Sequence, residues 1–272
     1  MGAYLSTIST VAANPFATAA GFSLFLIVVE TIYLYVYLPE TLPSLAAPTA
    51  NDTSKANGGT KPPTTKATRP AAPTKRTNSH FILNFTHLAF ILFFSGMEFS
   101  LPFMTHDLFA LTASGNGRLL GFMGLIASLL QGGLTRRLPP LLSVKIGVLS
   151  CLASFFLLAR LTTLPMLYTA TALLAVTTAT VVTGLNALSS FEAGEGERGE
   201  KLGNLRSWGQ IGRATGPLAF CTLYWWAGRE TAYTVGGAGM LLVAGLVFAG
   251  LGTPAGSEKV KIKDIKTAEK ES

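Results

Sequence analysis

Seven stretches of this chain, at about 16–38, 80–104, 118–134, 142–159, 164–188, 205–227 and 232–251, are apolar over most of their length. About 20 apolar residues in a helix rise about 30 Å, the thickness of the hydrocarbon layer of a bilayer. The rest of the composition agrees. The chain is 49% hydrophobic and only 13% charged, where a soluble domain carries about 25% charged residues, and its mean hydropathy is +0.43. That leaves too little polar surface to dress a water-soluble globule of 272 residues. The expected fold is an all-α membrane protein of about seven transmembrane helices, with the lipid bilayer as its first partner.

A net charge of +7 raises the question of nucleic acid. Here most Lys and Arg lie between the apolar runs or in the tail, which fits the bias of basic residues toward the cytoplasmic side of a membrane, so no nucleic-acid partner is expected. With the loop after the first run placed inside, 17 Lys and Arg fall on the inner side and three (Arg118, Arg160 and Arg229) on the outer side. The N-terminus is then expected outside and the C-terminus inside. That orientation rules out use of the sequons at Asn51 and Asn84 and misplaces a myristoyl group on the loose pattern at Met1–Ser6. Residues 1–20 lack the basic start and cleavage site of a signal peptide. Cys151 and Cys221 sit inside apolar runs and read as small packing residues.

The connectors are short except for residues 39–79, which hold seven prolines among Thr, Ala, Asn and Lys. Such a tract cannot bury enough apolar surface to fold. The expected organisation is therefore one helix (1–38), a disordered cytoplasmic linker (39–79), a six-helix bundle (80–253) and a cytoplasmic tail (254–272). An odd helix count with an outside N-terminus is unusual for a chain without a signal peptide. It is explained simply if five helices precede Met1, as they would in a twelve-helix transporter of which this is the N-terminally truncated remainder.

Motifs support that reading. Leu38-Pro39-Glu40-Thr41-Leu42-Pro43 resembles the end of the sixth helix of major facilitator superfamily transporters. Gly133-Leu134-Thr135-Arg136-Arg137 resembles the superfamily's basic loop, without its usual Asp. Gly203-Asn204-Leu205-Arg206-Ser207, with Gly212-Arg213-Ala214-Thr215-Gly216-Pro217 and Tyr224-Trp225, resembles the eleventh helix of the drug:proton antiporter branch. The segment 94–101 with Thr105-His106, and Gln131-Gly132, looks like the tetracycline-transporter-like group of that branch. This resemblance covers residues 20–45 and 80–250. It implies a secondary carrier, antiporter-like and coupled to protons or another gradient. Two six-helix halves would rock around a midplane site, with small organic solutes or drugs as substrates and no cofactor.

An ionisable side chain in a membrane helix is costly and therefore a functional candidate. Glu98 lies 18 residues into a helix starting at 80, about 27 Å along it, where it could bind a cationic group or a proton. Arg213, read as about eight residues into its helix, could bind an anionic substrate or set a conformational equilibrium. These two are too far apart in depth to pair. Glu30 reads as structural. Asn84, His87, Gln131, Asn186 and Gln210 are polar and could line a cavity, with His87 more readily a packed, hydrogen-bonded residue than a proton carrier. Arg136, Arg137 and Arg206 belong to the loop motifs. Gly96, Pro102, Gly209, Gly212, Gly216 and Pro217 would permit close helix packing or bending and so serve gating. The acidic and basic cluster from Glu192 to Lys201 reads as a solvated loop. There is no nucleophile elbow, paired intramembrane carboxylates or His–Glu metal spacing, so neither an enzyme nor a metal site is expected. The remaining alternatives are an inactive fragment and a seven-helix receptor or scaffold.

Overall fold

The computed structural model of the protein describes residues 17–37, 77–133, 135–194 and 196–254. The Leu38–Pro43 motif, nearly all of the linker reading and the tail lie outside the described residues. Every described element is helical: α1 (Ala17–Tyr37), α2 (His80–Phe109), α3 (Ala113–Gly133), a short 3₁₀ turn (Thr135–Arg137), α4 (Pro140–Ala159), α5 (Leu164–Glu192), α6 (Arg198–Ala227) and α7 (Arg229–Gly250). Each apolar run of the sequence thus contains a helix. The chain divides into two units, residues 1–74 and 75–272.

In the first unit, α1 has 21 residues without a charge in its first or last turn. Thr31 donates back to the Ile27 carbonyl at 2.8 Å, which satisfies its hydroxyl within the helix.

In the second unit, α2 and α6 form the most extensive pair, followed by α4 and α5. Small residues set both contacts, as expected where lipid is as apolar as the side chains and close backbone approach supplies the attraction. On the first pair, a Cβ on Gly212 would come within 2.6 Å of the Leu88 carbonyl oxygen, and one on Gly96 within 2.9 Å of the Gly216 carbonyl oxygen. On the second, Gly147 faces Thr180 and Val181, and Gly184 faces Val144. Buried hydroxyls donate across the second seam: Thr177 to the Gly147 carbonyl at 3.0 Å and Ser154 to the Ala170 carbonyl at 3.1 Å. The glycines of α7 receive aromatic rings, Phe93 at Gly239 and Phe155 at Gly236. Phe155, Phe220 and Tyr233 pack together at the centre, and Tyr233 shares a 2.9 Å hydrogen bond with Ser100.

Most helices run past the apolar stretch that marks them. Five of the seven described helices, α1, α2, α4, α5 and α7, are long and apolar enough to cross a membrane by composition alone. The other two are diluted for visible reasons. Six glycines interrupt α3. Helix α6 opens with Arg198-Gly199-Glu200-Lys201 and carries Arg206 and Arg213 further in. Because α6 begins at Arg198, Arg213 stands 15 residues into it rather than eight, about 22 Å along its axis. Prolines 102 and 217 are accommodated inside α2 and α6 without ending either helix.

Candidate functional site

Arg206, Gly209, Gln210 and Arg213 fall at steps of three, one and three residues, which puts them on one face of α6. That face meets His87 and Ile91 of α2 and Val182 and Asn186 of α5 around a cleft of about 410 Å³. Five of the sequence-selected candidates, His87, Asn186, Arg206, Gln210 and Arg213, therefore converge. The lining holds two guanidinium groups, an imidazole and two amides, and no carboxylate. An arginine stays protonated and presents a planar fork of donors suited to carboxylate, sulfonate or phosphate groups.

The floor of the cleft is fixed by backbone. His87 is buried, and its Nδ1 lies 2.8 Å from the Leu205 carbonyl oxygen, so Nδ1 carries the hydrogen and donates. That contact runs over Gly209, where any side chain would collide with the imidazole ring. One turn along, Gly212 and Gly216 bring α6 against the backbone of α2 at Leu88 and Leu92. Ser95 donates to the Gly212 carbonyl at 3.4 Å. The glycines of the α6 motif thus hold the two cleft helices at a fixed spacing. The buried Oδ1 atoms of Asn186, in the lining, and of Asn84, one turn before His87 on α2, accept no hydrogen bond from the described residues.

Other candidates stand elsewhere. Glu98 is partly exposed on α2, does not line the cleft, and makes no ion pair with Arg213 among the described residues. Gln131 is exposed at the end of α3, outside the cleft. Arg137, itself exposed, ends the 3₁₀ turn, which Thr135 pins by donating to the Leu130 and Ala179 carbonyls at 3.1 and 3.4 Å. The Arg136 side chain lies outside the described residues.

A second polar constellation was not foreseen. Glu192, expected in a solvated loop, is 6% exposed. Its Oε2 accepts from the Thr77 amide at 3.0 Å, and its Oε1 accepts from the Asn78 amide at 2.9 Å and the Asn78 side chain at 2.7 Å. The correction has a physical cause. Helix α5 extends through residue 192, so this carboxylate closes a helix end where the chain enters α2, and three donors replace its water. Asn78 also exchanges two hydrogen bonds with the backbone of Gly252. The start of α2, the end of α5 and the segment after α7 are joined through this single asparagine.

These features can be set against known proteins. A sequence profile described as Major Facilitator Superfamily matches residues 1–217. Major facilitator superfamily domain-containing protein 10 of Bos taurus is 30% identical over 239 residues, covering 84% of this chain and 52% of the relative. The Homo sapiens protein of that name is 27% identical over 270 residues, covering 92% of this chain and 57% of the relative. The chain thus spans about half the length of the curated relatives it matches. Among solved structures, the human organic anion transporter MFSD10 (TETRAN) superposes with a TM-score of 0.60 at 29% identity, over 62% of this chain and 40% of that one. A peptide transporter POT in complex with sulfate gives 0.56 at 18% identity, over 70% and 43%. At that identity the likeness shows the fold alone. These relatives are transporters, not enzymes, and the helices described above make the chain an integral, multi-pass membrane protein. With the profile match over most of its length, the chain belongs to the Major Facilitator Superfamily.

Proposed function

We propose that residues 80–253 form one half of a secondary, alternating-access carrier, and that the cleft between α2, α5 and α6 binds a small organic anion. The observation that carries this reading is the charge inventory of the cleft, with Arg206 and Arg213 present and no carboxylate to neutralise them. The similarity to a human organic anion transporter points the same way. Arg213 is the deeper contact and Arg206 the contact nearer the start of α6, while Gln210 and Asn186 supply neutral hydrogen bonds that orient the solute. Gly209, Gly212, Gly216 and Pro217 hold the α2–α6 spacing on which rocking depends, and Arg136 and Arg137 belong to the loop that limits it. Glu98 lies off this cleft and is assigned to coupling or to structure elsewhere on α2. The tetracycline-transporter-like, drug:proton antiporter assignment of the motifs stays a finer proposal within the superfamily.

The test is binding to the purified chain in lipid nanodiscs, comparing p-toluenesulfonate with tetraethylammonium. The sulfonate is expected to bind and the cation not to. A hydrogen bond to a charged group contributes about 1.5–3 kcal/mol, so Arg213→Gln should weaken sulfonate binding by roughly 10- to 100-fold. Selective binding of the cation, or an undiminished sulfonate affinity in Arg213→Gln, would overturn the anion reading.

A further inference from the structure

Within the cleft, His87 differs from its neighbours in being able to change its charge. Its Nδ1 hydrogen is committed to the Leu205 carbonyl, which accepts equally well from a neutral or a protonated ring. Nε2 is therefore the atom that can gain a proton without disturbing the packing at Gly209. The residue lines the cleft, and with Nδ1 engaged at Leu205 the remaining ring nitrogen is the one left to serve a ligand there.

The charges that face this ring are all of one sign. Helix α6 contributes Arg206 and Arg213, with Gln210 neutral, and α5 contributes only the neutral Asn186. The nearest carboxylate on α5, Glu192, is occupied by Thr77 and Asn78. On α7, the charged residues Arg229 and Glu230 stand at its first turn, the end remote from the cleft. On α2 itself, His80 lies two turns before His87, beside Lys201, and Glu98 lies three turns beyond it. In the empty cleft a proton on Nε2 would add a third positive charge with no counter-charge. A bound anion supplies that counter-charge.

Resting on the anion reading above, we propose that the cleft binds an organic anion and a proton together, with Nε2 of His87 as the proton's seat. On binding, the proton passes from bulk water to Nε2, and the ring becomes an imidazolium that donates to Leu205 through Nδ1 and to the anion through Nε2. On release both leave. Linkage is reciprocal, so the anion favours the proton as much as the proton favours the anion. Anion affinity must then rise as pH falls through the imidazole range, by at most tenfold per unit for one linked proton. A carrier that binds solute and proton together moves both in the same direction, which is symport and not the antiport implied by the motif resemblance.

The experiment is calorimetric titration of the full chain in nanodiscs with p-toluenesulfonate, whose charge does not change between pH 6 and 8. Two cationic buffers of different ionisation enthalpy report the protons taken up. The expected result is uptake of up to one proton per sulfonate, with affinity rising as pH falls from 8 to 6. In His87→Asn, whose amide can still donate to Leu205, uptake should vanish and affinity become independent of pH. The proposal is overturned if the unaltered chain binds sulfonate without proton uptake, whatever the variant does. Uptake that persists in His87→Asn, or that is lost in His80→Asn instead, overturns it too. Failure of sulfonate to bind at any pH removes the anion reading and this proposal with it.

Discussion

Glu192 commits both carboxyl oxygens to three donors from residues 114 and 115 positions earlier in the chain. Removing the carboxylate leaves two backbone amides and one side-chain amide without acceptors in a buried place, and unmet buried donors cost more than the bonds contribute when made. Glu192→Ala is expected to destabilise the bundle by about 2–4 kcal/mol, measured as a lowered unfolding midpoint in detergent. Glu192→Gln keeps one acceptor but turns an NH₂ toward a donor, so its loss should fall between those of the parent and the alanine variant. Equal midpoints for all three would remove the structural role. The sequence could not show this. A glutamate among Glu195, Glu197 and Glu200 looks solvated, and only tertiary contact with Asn78 distinguishes it. Gln210 and Arg213 were legible as cavity and anion candidates because a polar or charged side chain within an apolar run stands out locally, whereas Arg206 was read with the loop motifs and joins them only because α6 starts at Arg198 and its face meets α2 and α5.

Along α6, two glycines with opposite surroundings give opposite expectations. A Cβ at Gly216 would collide with the Leu92 carbonyl and the Ser95 hydroxyl, whereas one at Gly203 meets nothing within 4 Å. Overpacking typically costs 1–3 kcal/mol, and an open helical Gly→Ala gains up to about 1 kcal/mol. Thermal unfolding of Gly216→Ala should therefore shift down and that of Gly203→Ala slightly up. A downward shift in both would mean that α6 is helical for reasons other than its packing on α2. Element identity was largely legible, since each apolar run became a helix. Element ends were not. Hydropathy reports where lipid is, while hydrogen bonding continues the helix into water, and the polar Arg198–Asn204 start of α6 is invisible to an apolar count. That shift of start is what moved Arg213 from a residue near a helix end to one in the middle of α6.

At the scale of the molecule, the described bundle is closed on itself through Asn78, which links the start of α2 to the end of α5 and to Gly252 after α7. The unit boundary at Thr74 and Lys75 falls before this junction, although the linker tract read from composition runs to residue 79. A linker defined by low complexity ends where its composition changes, whereas the folded unit begins where the first buried hydrogen bond is made. Two shortened chains separate these views. One beginning at Lys75 retains Thr77 and Asn78, and one beginning at His80 loses both while keeping every helix from α2 to α7. The Lys75 chain is the reference, since both shortened chains lack the same first unit. The His80 chain should fall by about as much as Glu192→Ala, at roughly 2–4 °C per kcal/mol for a protein of this size. Because both changes break the same bonds, adding Glu192→Ala to the His80 chain should cost little more, the signature of coupled rather than additive sites. Equal stability of the two shortened chains would show that the junction at Asn78 does not hold the bundle together. Full additivity would show that Glu192 stabilises the fold by some route other than Thr77 and Asn78.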